Sequence, residues 1–214
     1  MPPVPGAAPS RLVGIAGPSC AGKTELARWL AARLSAPVLN LDHYYVDLAH
    51  LPLEERARTN FDEPAAVDHE AILHDVSALA RGEPVTAPLY DFATHARVRG
   101  GARIVPAGLV VIEGLFALYW PALREHYFVK LFVDAPDGLC LARRLERDTR
   151  ERGRTPDSVV AQFEATVKPG ADRYIRPTRV FADLVLSGEE ELEIRGPRAL
   201  ELIRARLATA EEQS

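Results

Sequence analysis

A chain of 214 residues that is 47% hydrophobic has enough apolar surface for one α/β domain with a small excursion. Its net charge of −4 gives no electrostatic basis for nucleic acid or an anionic membrane as a partner. The two cysteines, Cys20 and Cys140, are too few for a disulfide framework, show no metal-ligand pattern, and leave a redox role for Cys20 without support. No apolar run is long enough to span a bilayer. The Pro- and Ala-rich start, residues 1–10, reads as a disordered lead with no signal peptide, so the protein is expected in the cytoplasm.

Leu12–Ala16 reads as a buried strand that runs into Gly17-Pro18-Ser19-Cys20-Ala21-Gly22-Lys23-Thr24, a complete G-x-x-x-x-G-K-[ST] loop, and Thr24–Leu34 is a helix. In that context the backbone N–H groups of the loop and the helix N-terminus form a nest for phosphate oxygens. Lys23 reaches the β/γ-phosphates and the Thr24 hydroxyl ligates Mg²⁺, whereas an ordinary glycine-rich turn would need neither. Val38–Leu41 is the next strand and delivers Asp42 at its end. A carboxylate there suits a general base that takes a proton from an alcohol acceptor. His43 competes for that role, but the alternation of an extended segment turns it away from Asp42.

Asp68–Ala80 reads as a helix, and Pro84–Pro106 breaks the strand–helix alternation. Its halves, Val85–Phe92 and Arg97–Val105 around a polar turn, predict a β-hairpin insertion whose aromatics floor a second-substrate site. Leu109–Ile112 is a buried strand ending in Glu113, a carboxylate positioned to hold Mg²⁺ beside the phosphate loop. After the strand Val129–Val133, the helix Gly138–Arg152 is dense in arginine: Arg143, Arg147 and Arg150 share a face, with Arg144 beside it. Two readings divide these residues, a solvated surface paired with Glu146, Asp148 and Glu151, and a lid over residues 143–162 that brings guanidinium groups to the triphosphate. The helix Pro156–Val167, the strand Leu184–Leu186 and the helix Pro197–Ala208 complete a single domain over residues 11–208, and residues 209–214 read as a flexible tail. The predicted fold is α/β of the P-loop NTPase type, a parallel sheet with helices on both faces and the site at the carboxyl ends of the strands.

The pieces GPSCAGKT, LDHYY, TNFDEPAAVD, APLYDFATHAR, VVIEGLFAL, LFVDAP, RRLERDTRERGR and VKPGADRYIRPTRVFADLVLSG cover about residues 12–188 in order. In them the chain resembles the uridine–cytidine kinase branch of the phosphoribulokinase/uridine kinase superfamily. The resemblance implies transfer of the γ-phosphate of ATP or GTP, with Mg²⁺, to the 5′-hydroxyl of uridine or cytidine in pyrimidine salvage. It implies Asp42 as base, with Lys23 and Arg147 also catalytic, and Thr24, Glu113 and Asp42 around Mg²⁺. Gly17, Ser19, Cys20, Ala21, Gly22, Lys23, Thr24 and Arg152 would hold the triphosphate. Asp62 and Arg144 would hold the ribose, while Tyr45, Phe61, Tyr90, Phe92 and His95 would form the base pocket, with Arg154 and Gln162 close by. Departures from the family pattern fall at His43-Tyr44, at Glu25 after Thr24, and at Glu63 after Asp62, and they touch selectivity rather than phosphoryl transfer. Small molecules are the expected partners, and the homo-oligomers common among related kinases leave the assembly state open. The alternatives are a kinase of pantothenate, ribulose 5-phosphate or a sugar derivative, and a nucleotide-binding regulator without turnover.

Overall fold

The computed structural model describes residues 8–57 and 59–212; most of the expected lead (residues 1–7) and the end of the expected tail (213–214) lie outside the described residues. The strands in chain order are β1 (Arg11–Ala16), β2 (Val38–Asn40), β3 (Val85–Asp91), β4 (Ala96–Ile104), β5 (Leu109–Glu113), β6 (Tyr127–Asp134) and β7 (Leu184–Ser187). β2, β5, β1, β6 and β7 lie side by side in that order, with every adjacent pair parallel. β3 and β4 form the expected antiparallel hairpin as a separate ribbon. The helices are α1 (Lys23–Leu34), α2 (Leu53–Ala57), α3 (His69–Ala80), α4 (Pro121–His126), α5 (Asp137–Glu151), α6 (Pro156–Gln162), α7 (Lys168–Gly170) and α8 (Leu192–Glu212).

Both faces of the sheet are apolar because both are covered. Leu12, Ala16, Val110, Ile112 and Phe132 pack with α3 and the hairpin, through Ile72, Val76, Leu79 and Tyr90. Val13, Ile15, Val111, Leu131 and Val133 pack on the other side with Leu26 and Leu30 of α1 and Ala199 and Ile203 of α8. Each such side chain contributes about 1.5–3 kcal/mol by leaving water. The register between β1 and β6 slips by one residue at Phe128, where Leu12 pairs with Tyr127 and Val13 with Val129. That bulge turns the buried Tyr127 ring onto the same face as Leu12, against Gly14, where an added Cβ would lie 2.6 Å from the ring.

Among the expected boundaries that move, those of three elements have a physical reason in the local structure. β2 stops at Asn40 because the Asn40 side chain accepts the Asp42 N–H at 2.8 Å, curling Leu41–Tyr44 into a 3₁₀ turn. α6 stops at Gln162 and gives way to wide π turns over Phe163–Val167 and Ala171–Ile175. The buried stripe Phe163, Val167, Ala171 and Ile175 repeats every fourth residue, longer than the α period, and wider turns keep it facing inward. α8 starts at Leu192, so Pro197 sits inside the helix instead of opening it, and the helix runs past Ala208 to Glu212. The turn before Pro197 is held by burial: Gly196 lies against the Trp29 ring and Arg195 is 1% exposed. Ser10, read as part of the lead, is buried and donates its N–H to the Ala80 carbonyl at 3.0 Å.

Gly14→Ala should lower stability by about 1–3 kcal/mol through overpacking. Equilibrium denaturation of Gly14→Ala, Tyr127→Leu and the double variant checks this, with the double variant recovering the Gly14→Ala loss.

Candidate active site

The phosphate loop joins β1 to α1 through three left-handed residues, Gly17 (φ 147°), Cys20 (φ 62°) and Gly22 (φ 103°). Gly17 has no room for a side chain, since a Cβ would meet the Val133 carbonyl oxygen at 2.1 Å. Lys23 is buried and curls back along the loop, its Nζ donating to the Pro18 carbonyl at 2.8 Å. The Thr24 hydroxyl donates to Glu113 Oε1 at 2.9 Å. Glu113 is 1% exposed and its Oε2 has no hydrogen-bond partner. Burial, reinforced by the nearby Asp42 charge, pushes the Glu113 carboxyl up to about 7. One hydroxyl and two carboxylates, one with an orphaned oxygen, are the hard oxygen donors that suit Mg²⁺.

A cavity of about 600 Å³ opens over the loop, lined by Ser19, Cys20, Gly22, Lys23 and Thr24 and roofed by Arg143 and Arg147. A second cavity of about 300 Å³ is lined by Tyr45, Phe61, Asp62, Tyr90, Phe92, His95, Arg144, Arg152, Arg154 and Gln162. The two share Ser19, Asp42, Leu115 and Arg147 as a common wall. Asp42 reaches that wall from the 3₁₀ turn after β2, and Gly114 makes room for it, because a Cβ there would press on Leu41 at 2.7 Å.

The second cavity is an aromatic box. Tyr45 meets Phe61 edge-on at 5.3 Å and Tyr90 at 5.4 Å, and His95 stacks on Phe61 at 4.8 Å. His95 takes a left-handed φ of 51°, and burial together with Arg154 and Arg152 holds its imidazole below the usual range, so it is neutral. His43 turns away from both cavities: its Nδ1 accepts the Tyr90 N–H at 3.1 Å, fastening the 3₁₀ turn to the hairpin. Asp62 is 5% exposed and accepts from the Thr166 hydroxyl at 2.9 Å. Burial raises its carboxyl pKa, opposed by the Arg144 charge and the Thr166 bond. Gly170 lets α7 pass flush against it, since a Cβ there would lie 2.5 Å from the Asp62 carbonyl oxygen.

The arginine-rich segment splits as its two sequence readings allowed. Arg150 pairs at the surface with Glu146 and Glu151. Arg144, Arg147, Arg152 and Arg154 all converge on Asp148, which is fully buried, at 3.5, 2.8, 3.6 and 3.9 Å. Arg144 also donates to Ser19 Oγ and to Gln162 Oε1, both at 3.0 Å, and Arg154 donates to the same Gln162 oxygen. Arg152, expected on the phosphates, lies in the aromatic cavity with its guanidinium 4.7 Å from the Phe92 ring centre. Gly17, Ala21 and Glu113 lie behind the cavity walls rather than on them. Leu115 was missed from the sequence, and Asp148 was read there only as a surface partner of the arginines. Leu115 carries no chemical signal; Asp148 has one in its i,i+4 spacing to both Arg144 and Arg152.

Residues 12–194 match the model of the phosphoribulokinase/uridine kinase family. The chain belongs to that family. A uridine kinase of Chloroflexus aggregans is 41% identical over 93% of this chain and 95% of its own length, and one of Yersinia pestis is 36% identical over 92% and 94%. A solved structure from Silicibacter sp. TM1040, provisionally described as a fructose transport system kinase, superposes with a TM-score of 0.69 at 28% identity over 85% of this chain and 92% of its own. Phosphoribulokinase of Rhodobacter sphaeroides shares the fold alone, at a TM-score of 0.60 and 14% identity over 83% and 70%. The chain is therefore a kinase, an ATP-dependent phosphotransferase with the α/β fold of its family. Among the described residues no helix is long and apolar enough to cross a membrane.

The raised Asp62 pKa fixes the sign of a stability effect. The folded state holds the Asp62 proton more tightly than the unfolded chain, whose value is 3.8, so stability is lost as pH rises from 3.8 to the folded value and is level above it. Asp62→Asn should melt higher than the wild type at pH 7. The gap should close as the pH falls toward 3.8, which paired melting curves across pH test. Asp148→Asn should do the opposite, losing about 3–5 kcal/mol in urea denaturation because its guanidinium groups lose their buried counter-ion.

Proposed function

We propose that this kinase transfers the γ-phosphate of ATP to the 5′-hydroxyl of uridine or cytidine. The observation that carries the reading is the position of Asp42 on the wall common to the phosphate cavity and the aromatic cavity. A triphosphate seated on the loop and a nucleoside seated among Tyr45, Phe61 and His95 meet there, with the reacting hydroxyl facing the γ-phosphorus.

Asp42 accepts the hydroxyl proton and orients the oxygen in line. Lys23 leaves the Pro18 carbonyl for the phosphates, and Arg147, on the same shared wall, balances charge as the phosphoryl group moves. Thr24 and Glu113, with Asp42, hold Mg²⁺, which neutralises the triphosphate when bound. The Asp62 carboxylate accepts from the ribose hydroxyls while Arg144 fixes it from the side. Neutral His95 offers one donor and one acceptor to the edge of the base, which fits either pyrimidine. Free Cys20 in the loop suits a reducing compartment, the cytoplasm.

The likeness to the Silicibacter kinase favours a second reading, phosphorylation of a sugar-type alcohol by the same residues. The stacked His95–Phe61 pair supports a flat base over a sugar alone.

Turnover with Mg·ATP, and with Mg·GTP for comparison, is expected for uridine or cytidine and not for fructose, pantothenate or ribulose 5-phosphate. Asp42→Asn should retain nucleoside binding and lose roughly 10²–10⁴-fold in kcat. Turnover confined to a non-nucleoside alcohol would overturn the assignment of the aromatic cavity.

A further inference from the structure

Glu25, where the family resemblance leads one to expect a second hydroxyl residue, has a partner on the far side of the phosphate loop. Arg195 of α8 is 1% exposed and lies against the outside of the loop. Its Nη2 donates to Glu25 Oε2 at 3.0 Å and its Nη1 to the Ala21 carbonyl at 3.4 Å, while its Nε is buried without a partner. The guanidinium sits where a Gly22 side chain would be, with both terminal nitrogens 2.6 Å from an ideal Cβ. Gly22 is the residue that caps α1, so a buried cation stands behind the N-terminus of the phosphate-binding helix.

That placement is unfavourable for the helix alone, because the N-terminus already carries partial positive charge. It becomes favourable once phosphate oxygens fill the nest on the other side. Burial pushes the Arg195 pKa down, Glu25 pushes it back up, and Arg143, itself bonded to the Cys20 carbonyl at 3.4 Å, adds like charge. Arg143 and Arg195 thus take the carbonyls of Cys20 and Ala21, holding left-handed Cys20 in place, while the Ala21 N–H turns back to the Pro18 carbonyl at 3.2 Å. Glu25 is 65% exposed at the rim of the phosphate cavity, close enough to offset part of the field.

We propose that Arg195 is a positioning residue of the phosphate loop and that the Glu25–Arg195 pair sets donor affinity, Arg195 raising it and Glu25 lowering it. This rests on the loop as the site of the donor phosphates and not on which alcohol accepts. The two partners of the ion pair therefore have opposite effects on the donor. A purely structural ion pair would give the same direction of change from either side.

Calorimetric titration of Mg·ATP into wild type, Arg195→Met, Arg195→Lys and Glu25→Gln reads this directly, with melting temperatures alongside. Arg195→Met should weaken Mg·ATP roughly three- to tenfold, Arg195→Lys less, and Glu25→Gln should tighten it about twofold. The KM for uridine should stay within about twofold of wild type in all of them. Weaker Mg·ATP binding in Glu25→Gln, or wild-type affinity in Arg195→Met, would overturn the proposal. If Arg195→Met does not fold, the sign of the Glu25→Gln change decides it. A wild type that binds Mg·ATP but leaves uridine and cytidine unphosphorylated removes the nucleoside reading and leaves this comparison standing.

Discussion

A backbone that binds phosphate must aim successive N–H groups inward, which forces its carbonyls outward and its torsions into the left-handed region. Much of the structure follows from holding that one loop. Gly17 and Gly22 supply two of the left-handed positions without penalty, but Cys20 supplies the third with a side chain attached, at a cost of about 1–2 kcal/mol. The strain persists because the neighbours over-determine the loop. β6 closes on Gly17 through Val133, α5 grips the Cys20 carbonyl with Arg143, and α8 grips the Ala21 carbonyl with Arg195. The central position of β1 in the sheet, with β5 and β6 on either side, brings these holders within reach.

The second constraint is electrostatic. Around the junction of the two cavities, four guanidinium groups share one fully buried carboxylate, Asp148. The cluster also feels two further carboxylates, Asp62 beside Arg144 and Asp42 beside Arg147. Asp148 gives these arginines a common anchor, so those lining the aromatic cavity and Arg147 on the shared wall are tied to the same atoms. A shift of Arg147 is therefore felt by the arginines of the aromatic cavity.

The phosphate loop, Asp42, Glu113, the parallel strands and the hairpin were legible because each is encoded locally, in a motif, a strand-end carboxylate, an apolar run or a period-two pattern. The hairpin's share of the aromatic cavity was legible from its own pattern, but adding Tyr45 and Phe61 took family motifs, since those segments meet it only in three dimensions. What stayed hidden depends on long-range packing. Arg195 lies 174 residues from its carbonyl partner Ala21, and nothing near it in sequence marks it as buried. Pro197 reads as a helix start by local rules and is overridden because Gly196 and Arg195 pack the preceding turn onto α1. Asp148 sat in plain sight at helical spacing, but a carboxylate among arginines reads as surface until its burial is known.

The site is built from groups that the fold alone would reject. Glu113 with its unpaired oxygen and Arg195 with its orphaned Nε are buried polar groups left partly unsatisfied, and Asp62 is a carboxyl whose pKa burial raises. Each such group costs of the order of 1–3 kcal/mol in the free protein. A ligand that satisfies such a group in the folded state alone stabilises that state, so binding and stability are linked through the same residues. The free protein carries that dissatisfaction as a stability cost. Substitutions that relieve that dissatisfaction stabilise the chain at the expense of the chemistry it supports.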